Sequence, residues 1–363
     1  VLPRVTTAIR IERHGPPEVL TQREIPLREP GPGEVLLRVD ATGVNFADLL
    51  MRAGLYGTAP PRPYSPGFEV AGEILGVGPL VARWSRGDRA VALLRHGGYA
   101  RHVVIPVDQL FGIPAGLEPS QAAAIPVVFL TAWVCLFAAG NGRPQETVLI
   151  LGAGGGVGTA AVQLARRRGL RVIGTAGDAR KRCFVTDGLG AEACFDSRGD
   201  WETEVRQLVG ERGLDLALDP LGARATDSCR RLLAPLGRLV FYGLSEALPS
   251  TRRHWWRAAR AWLRTPQFHP LSLIEPNLGV FGVHLLHLGS RAHLLRPALE
   301  EIYHAIAAGE LRPVVDRVFP FTRQGAVDAH HYLHARKNLG KVMLADQVGG
   351  RPVRPSGTLP TPG

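Results

Sequence analysis

The run LILGAGGGVGTAAVQLARRRGLRVIGT, residues 149 to 175, constrains the fold more tightly than any other part of the chain. An apolar, strand-like segment passes through five glycines and continues as a helix of small residues. Glycines gathered at a strand-to-helix turn let something approach the backbone closely. That something is a pyrophosphate on the first N–H groups of the helix or, on the competing reading, only the helix packing tightly on its strand. The fingerprint is imperfect, because aligning Gly155 and Gly158 with its second and third glycines puts Ala153 at the first. Context favours the dinucleotide: RVIGTA, ACFD, LDLALDP and GRLVFYG read as strands, alternating with helical stretches near 158–169, 179–189 and 224–235. Such alternation predicts a parallel sheet covered on both faces, with Gly152, Ala153, Gly155, Gly156, Val157 and Gly158 against the cofactor.

The end of the second strand selects the dinucleotide, since an acidic side chain there holds a ribose 2′-hydroxyl. Here the strand ends VIGTAGDARK, with Gly174 and Thr175 where the acid is expected and Arg180 and Lys181 just after. Two cations suit a 2′-phosphate, so NADPH is the expected cofactor. Asp178 opposes that phosphate unless it serves to cap the next helix.

Residues 5 to 125 differ in kind. Short alternating runs such as EVLLRVDATGV and RAVALL are broken by Gly and Pro, as in a barrel-like β unit. A chain of 363 residues suits two such domains sharing a cleft. The expected boundaries are 1–127 with 276–348 for the β unit, 128–275 for the dinucleotide domain, and a disordered tail at 349–363. No run of 18 uncharged apolar positions is present, so no bilayer span is expected. The four cysteines form no C-x-x-C pair, which argues against a disulfide framework and a zinc knuckle and for a cytoplasmic protein. The net charge of +11 is almost all arginine, only Lys181, Lys337 and Lys341 being lysines, and is scattered along the chain, so no nucleic-acid partner is expected.

Taken with GVNFADLLMRAGLY (43–56), GFEVAGEILGVG (67–78) and NLGKVML (338–344), the glycine run resembles the medium-chain dehydrogenase/reductase superfamily. More narrowly the chain is similar, over about residues 7 to 345, to the zinc-independent quinone oxidoreductases and their VAT-1-like branch. The resemblance implies an α/β fold with a GroES-like β-barrel catalytic domain and an inserted Rossmann doubly wound domain. Where zinc-dependent relatives hold their metal with Cys and His, this chain has Asn45 and Phe68, so no metal is expected. Asn45 and Thr131 are implied beside nicotinamide and substrate, although Asn45 also reads as a turn residue bonded to its own backbone. Tyr56 is either a proton donor or a pocket wall. Phe241, Tyr242 and Gly243 are expected near the nicotinamide, with strand packing as the alternative, and Ser197 and Asn338 near the cofactor phosphates. A homodimer is implied by resemblance alone.

The expected activity is NADPH-dependent hydride transfer to a quinone or other α,β-unsaturated carbonyl compound. Two alternatives stand beside it: an enoyl-thioester reductase, and a nucleotide-gated protein that binds lipid or a partner with little turnover. The second draws on STRRHWWRAARAWLRTPQFHP (250–270), where Arg253, Arg257, Arg260 and Arg264 share one helical face and Trp255, Ala259 and Trp262 the other. Such a helix suits an anionic membrane surface through 252–264, or serves as a lid or subunit contact.

Overall fold

The computed structural model describes residues 2–222, 224–245 and 268–346. The Arg/Trp stretch at 252–264 and the tail at 349–363 lie outside the described residues. The described chain divides into two compact units, 2–127 with 299–346 and 128–245 with 268–298.

The first unit opens with strands β1 (Val5–Ile11) and β2 (Leu20–Pro26), an antiparallel pair. Then come β3 (Glu34–Val44), helix α1 (Phe46–Ala53), β4 (Glu69–Val77), β5 (Arg89–Leu93), β6 (His102–Pro106), β7 (Leu110–Gly112) and the one-turn α2 (Pro119–Ala122). β3 is central: it pairs antiparallel with β4 and β6, and its register shifts at Leu36/Leu37 and Val39/Ala41. Such bulges add bend and twist, which is how a sheet curls toward a barrel.

Helix α3 (Pro126–Trp133) runs on as a wider turn through Ala139 and leads into the second unit. There β8 (Thr147–Ile150), α4 (Gly156–Arg167), β9 (Arg171–Ala176), α5 (Ala179–Cys183), β10 (Ala193–Asp196) and α6 (Trp201–Val209) follow in turn. β11 (Leu214–Asp219), α7 (Arg224–Leu232), β12 (Leu233–Phe241), α8 (Pro270–Ile274) and β13 (Gly279–Gly282) complete the described part of the sheet and its cover. Its order is β10-β9-β8-β11-β12-β13, and every pairing is parallel. The order reverses between β8 and β11, and ligands of such sheets bind beyond the carboxyl ends of the strands at that point. β8 is buried at all four positions and β11 at five of six, the unalternating pattern of a sheet covered on both faces. Truncating Leu149 or Ile173 in this core to Ala costs about 2–5 kcal/mol.

Helix α9 (Ala292–Ala307) brings the chain back to the first unit, which adds β14 (Val315–Pro320), α10 (Arg323–His334) and β15 (Lys341–Ala345). β15 lies antiparallel on β3 and carries β14 at its other edge, giving the order β14-β15-β3-β4-β5-β7.

Two expectations need correction. The return to the first unit falls at Leu299 rather than 276, because β13 pairs with β12 in the dinucleotide-type sheet. The helix read over 224–235 ends at Leu232, and the strand starts at Leu233, with Leu236 taking φ 67° where the β11–β12 register shifts. The stretch Pro119–Ala139 is long and apolar enough by composition to cross a membrane, its apolar residues being interrupted by Ser120, Gln121, Pro126 and Thr131. Its most apolar 18 residues are 72% buried within the protein, as a core helix is.

Candidate active site and cofactor cradle

In the first unit the antiparallel registers align three strand ends. Val44 pairs with Val342 and Thr42 with Val70, so the end of β3 lies between the starts of β4 and β15. Asn45, Glu69 and Lys341 therefore meet. Lys341 Nζ donates to Glu69 Oε1 and to Asn45 Oδ1, both at 2.5 Å, and Asn45 Nδ2 donates to Glu69 Oε1 at 3.0 Å. The other carboxylate oxygen of Glu69 accepts the Val127 N–H at 2.8 Å. Glu69 and Lys341 have 0% and 3% of their side chains exposed, and Asn45 is 7% exposed. Burying two charges is tolerable only with this degree of pairing, and removing either partner from such a pair costs about 3–5 kcal/mol. Gly43 makes the room, since a Cβ there would collide with the Glu69 carboxylate.

Asn45 also begins α1. Its N–H donates to Asp48 Oδ2 at 2.8 Å, while Asp48 Oδ1 accepts from Gly67 N–H at 2.7 Å, tying the helix to the turn before β4. Burial pushes the Asp48 carboxyl up to about 7, against the pull of those two N–H groups and of Lys341. Tyr56 lies beside this group, its ring 5.8 Å from that of Phe68. Burial raises its hydroxyl to about 12, so it stays protonated and offers an O–H. Asn338, in the loop before β15, is buried and donates to the Gly340 carbonyl at 2.7 Å. That bond shapes the turn from which Lys341 projects.

In the second unit Gly152 takes φ 64°, so the left-handed residue of the loop is Gly152 and not the Ala153 that the spacing aligned with the first glycine. The loop is hung on β9: Ala153 N–H donates to the Thr175 carbonyl at 2.9 Å and Gly152 N–H to its hydroxyl at 3.3 Å. A Cβ on Gly158 would strike the Gly152 carbonyl and come within 2.6 Å of Ala153 Cα, so α4 packs on the loop only with glycine there. The first turn of α4, which includes Gly156, Val157 and Gly158, carries no acidic residue. Its N–H groups and dipole suit a phosphate, so the residues present fit a dinucleotide.

At the end of β9, Asp178 Oδ1 accepts the Lys181 N–H at 3.0 Å and caps α5. Its Oδ2 lies 3.6 Å from Lys181 Nζ. The stem of Lys181 packs under Gly154, whereas Arg180 is exposed. A Cβ on Gly177 would lie 3.5 Å from Ser197 Oγ and 3.6 Å from the Arg198 guanidinium, so Ser197 and Arg198 border the same glycine turn. Phe241 packs on the core with Phe268 at 5.8 Å. Tyr242 N–H bonds the Asp219 carbonyl at 3.1 Å, and burial raises its hydroxyl far above 10. Gly243 is held to glycine by the Pro220 carbonyl, 2.9 Å from a would-be Cβ. Thr131 is 8% exposed on α3.

Asn45, Tyr56 and Asn338 thus fall in the first unit; Thr131, the glycine loop, Thr175, Arg180, Lys181, Ser197 and Phe241 to Gly243 fall in the second. Sequence reasoning missed Glu69, Lys341 and Asp48, although each stands in a quoted motif. The available signals were an acid inside an apolar strand and a lysine opening one. Among the described residues, no group of three or more His, Cys, Asp or Glu is arranged to hold a metal ion.

Comparison with known proteins agrees with this architecture. Residues 31–115 match the alcohol dehydrogenase GroES-like domain and residues 189–344 the zinc-binding dehydrogenase domain. The chain is 36% identical over 316 residues to the synaptic vesicle membrane protein VAT-1 homolog of Rattus norvegicus, covering 87% of this chain and 77% of that one. The quinone oxidoreductase of Thermus thermophilus, solved also in complex with NADPH, is 37% identical with a TM-score of 0.76 over 93% of this chain and 99% of that one. The CurK enoyl reductase is 27% identical with a TM-score of 0.80, over 94% and 99%. With a GroES-like first unit and a Rossmann-type second one, the chain belongs to the zinc-independent medium-chain dehydrogenase/reductase family, in its VAT-1-like branch.

Proposed function

We propose that the protein is an NADPH-dependent, zinc-independent reductase of quinones or other α,β-unsaturated carbonyl compounds. The observation that carries this reading is the cradle at the carboxyl edge of β8 and β9: an acid-free α4 first turn, and Lys181 and Arg198 about the Gly177 turn, where Asp178 is committed to capping α5. Arg180 adds a third cation near that turn. NADPH supplies a hydride from its nicotinamide when bound. The second unit holds the dinucleotide through Gly152 to Gly158, Thr175, Lys181, Ser197 and Arg198, and Thr131 and the 241–243 segment border it. The first unit supplies Asn45, whose side-chain amide N–H stabilises negative charge developing on the substrate oxygen, with the Tyr56 O–H as a second donor. Proton delivery completes the reduction, from Tyr56 or from water.

The test is side-by-side titration with NADPH and NADH, then addition of 9,10-phenanthrenequinone while absorbance at 340 nm is followed. Quinone-dependent oxidation with NADPH preferred is the expected result. Tight NADPH binding without oxidation of any quinone or enone overturns the reductase reading in favour of a nucleotide-gated binder. The similarity to the CurK enoyl reductase supports a second reading, enoyl-thioester reduction. Faster turnover of crotonyl-CoA than of the quinone is its signature.

We further propose a homodimer joined through the edge of β13 that is unpaired among the described residues, and a cytoplasmic protein with peripheral membrane contact. The name of the VAT-1 relatives, synaptic vesicle membrane proteins, supports that contact.

A further inference from the structure

We infer that Lys341 and Glu69 are positioning residues for Asn45: together they lock its carboxamide in one orientation, so that the group offered to a substrate oxygen is N–H and not C=O. The inference rests on the reductase reading of Asn45. A side-chain amide flanked by hydroxyls or water can turn over, exchanging donor for acceptor at no cost. Asn45 is flanked instead by two partners of single character. An ammonium only donates, so Oδ1 must face Lys341 Nζ, 2.5 Å away; an ionised carboxylate only accepts, so Nδ2 must face Glu69 Oε1, 3.0 Å away. Flipping the amide would set N–H against ammonium and C=O against carboxylate in a site with almost no solvent.

The lock leaves one Nδ2 hydrogen uncommitted among the described residues. The ammonium on Oδ1 also draws charge from the amide, and polarised hydrogen-bond chains strengthen the donor at their far end. Lys341 thus acts on the reaction through Asn45 while touching no substrate itself. Glu69 is anchored in turn by the Val127 N–H, and the Lys341 backbone by the Val314 carbonyl, so both clamps stand on fixed strand ends.

The experiment compares Lys341→Met, which keeps stem length and removes every donor, with Lys341→Arg, Asn45→Ala and the Lys341→Met/Asn45→Ala double variant. Because Lys341→Met alone strands a buried carboxylate, Lys341→Met/Glu69→Gln carries the same test in a neutral background. The expected result is a kcat lowered about tenfold or more by Lys341→Met, with quinone KM held within about twofold and partial recovery in Lys341→Arg. In the Asn45→Ala background the lysine change is expected to cost nothing further.

A second readout needs no turnover: the side-chain amide 1H–15N pair of Asn45, identified by its loss in Asn45→Ala, is expected to shift toward solvent-exposed values in Lys341→Met and to hold in Lys341→Arg. An unmoved amide signal, or an equal loss of kcat with and without Asn45, overturns the proposal. If the wild-type protein reduces no acceptor, the reductase reading fails by itself and the amide signal decides the orientation lock.

Discussion

Arg52 Nε donates to His330 Nδ1 across 3.2 Å, and neither residue has any surface exposed. Because Arg only donates, Nδ1 must carry the lone pair, which leaves the proton on Nε2, 3.2 Å from the Tyr99 hydroxyl. Arg52 also bonds the Gly15 carbonyl, so a buried guanidinium fastens α1, which begins at Asn45, to α10 and to the loop before β2.

Burial, with Arg52, His331 and His334 nearby, holds His330 well below its ordinary value. A histidine kept neutral in the fold but protonated when unfolded lends stability that is whole above about pH 6.5 and shrinks as pH falls, by up to about 1.4 kcal/mol per unit. Asp48 works the other way: its carboxyl is raised to about 7, so its contribution falls as pH climbs from the usual carboxylate range toward neutrality. The expected outcome is that the stability difference between wild type and His330→Gln widens by about 2 kcal/mol between pH 5 and 6.5. Urea midpoints at three pH values measure it, and a difference that stays flat contradicts the buried neutral imidazole.

Gly158→Ala is expected to break the cofactor cradle. Its methyl would strike the Gly152 carbonyl, which is backbone and cannot swing aside. Overpacking of this kind costs about 1–3 kcal/mol, and the displaced loop should weaken NADPH binding by about tenfold or more. Thermal melting and fluorescence titration of the same sample check both parts. Unchanged affinity would show that the loop does not hold the phosphates.

Much of this is legible in the sequence alone, and the exceptions have a common cause. The glycine run, the alternation of strands and helices and the absent ribose-binding acid are local signals. The Lys341–Glu69–Asn45 group is not local: Lys341 and Asn45 are 296 positions apart, and only the β15–β3 register joins them. Arg52 has no local signal either, because its partner His330 is 278 positions away. β13 escapes a sequence reading because GVFG is short and flanked by glycine, with no alternation to mark it, which is why the expected boundary falls too early.

That same strand carries a prediction about assembly. β13 closes one end of the six-stranded sheet, and its outer edge is unpaired among the described residues. Phe281 is 45% exposed there, with Leu271 and Ile274 of α8 more exposed still. A bare apolar edge is a template for another strand, and a second copy satisfies it symmetrically. Light scattering is expected to give two copies for the wild type and one for Phe281→Lys. A wild-type monomer would remove the dimer from the proposal.

On the proposed NADPH reading, cofactor preference is expected to turn on Arg198 and Lys181. Arg198 borders the Gly177 turn, and Lys181 is tied to Asp178, whose other oxygen is committed to capping α5. An incoming 2′-phosphate therefore meets two cations and a carboxylate already bonded, so attraction outweighs repulsion. Reversing one charge should act on the phosphate and hardly on the rest of the dinucleotide. Arg198→Glu is expected to raise KM for NADPH by about tenfold or more while leaving KM for NADH within about twofold. Because the group sits near solvent, raising ionic strength should also weaken NADPH binding more than NADH binding. Initial rates with both cofactors at two salt concentrations make the comparison. Equal losses for the two would mean that Arg198 supports the fold of the turn, and that the 2′-phosphate is held elsewhere or not at all.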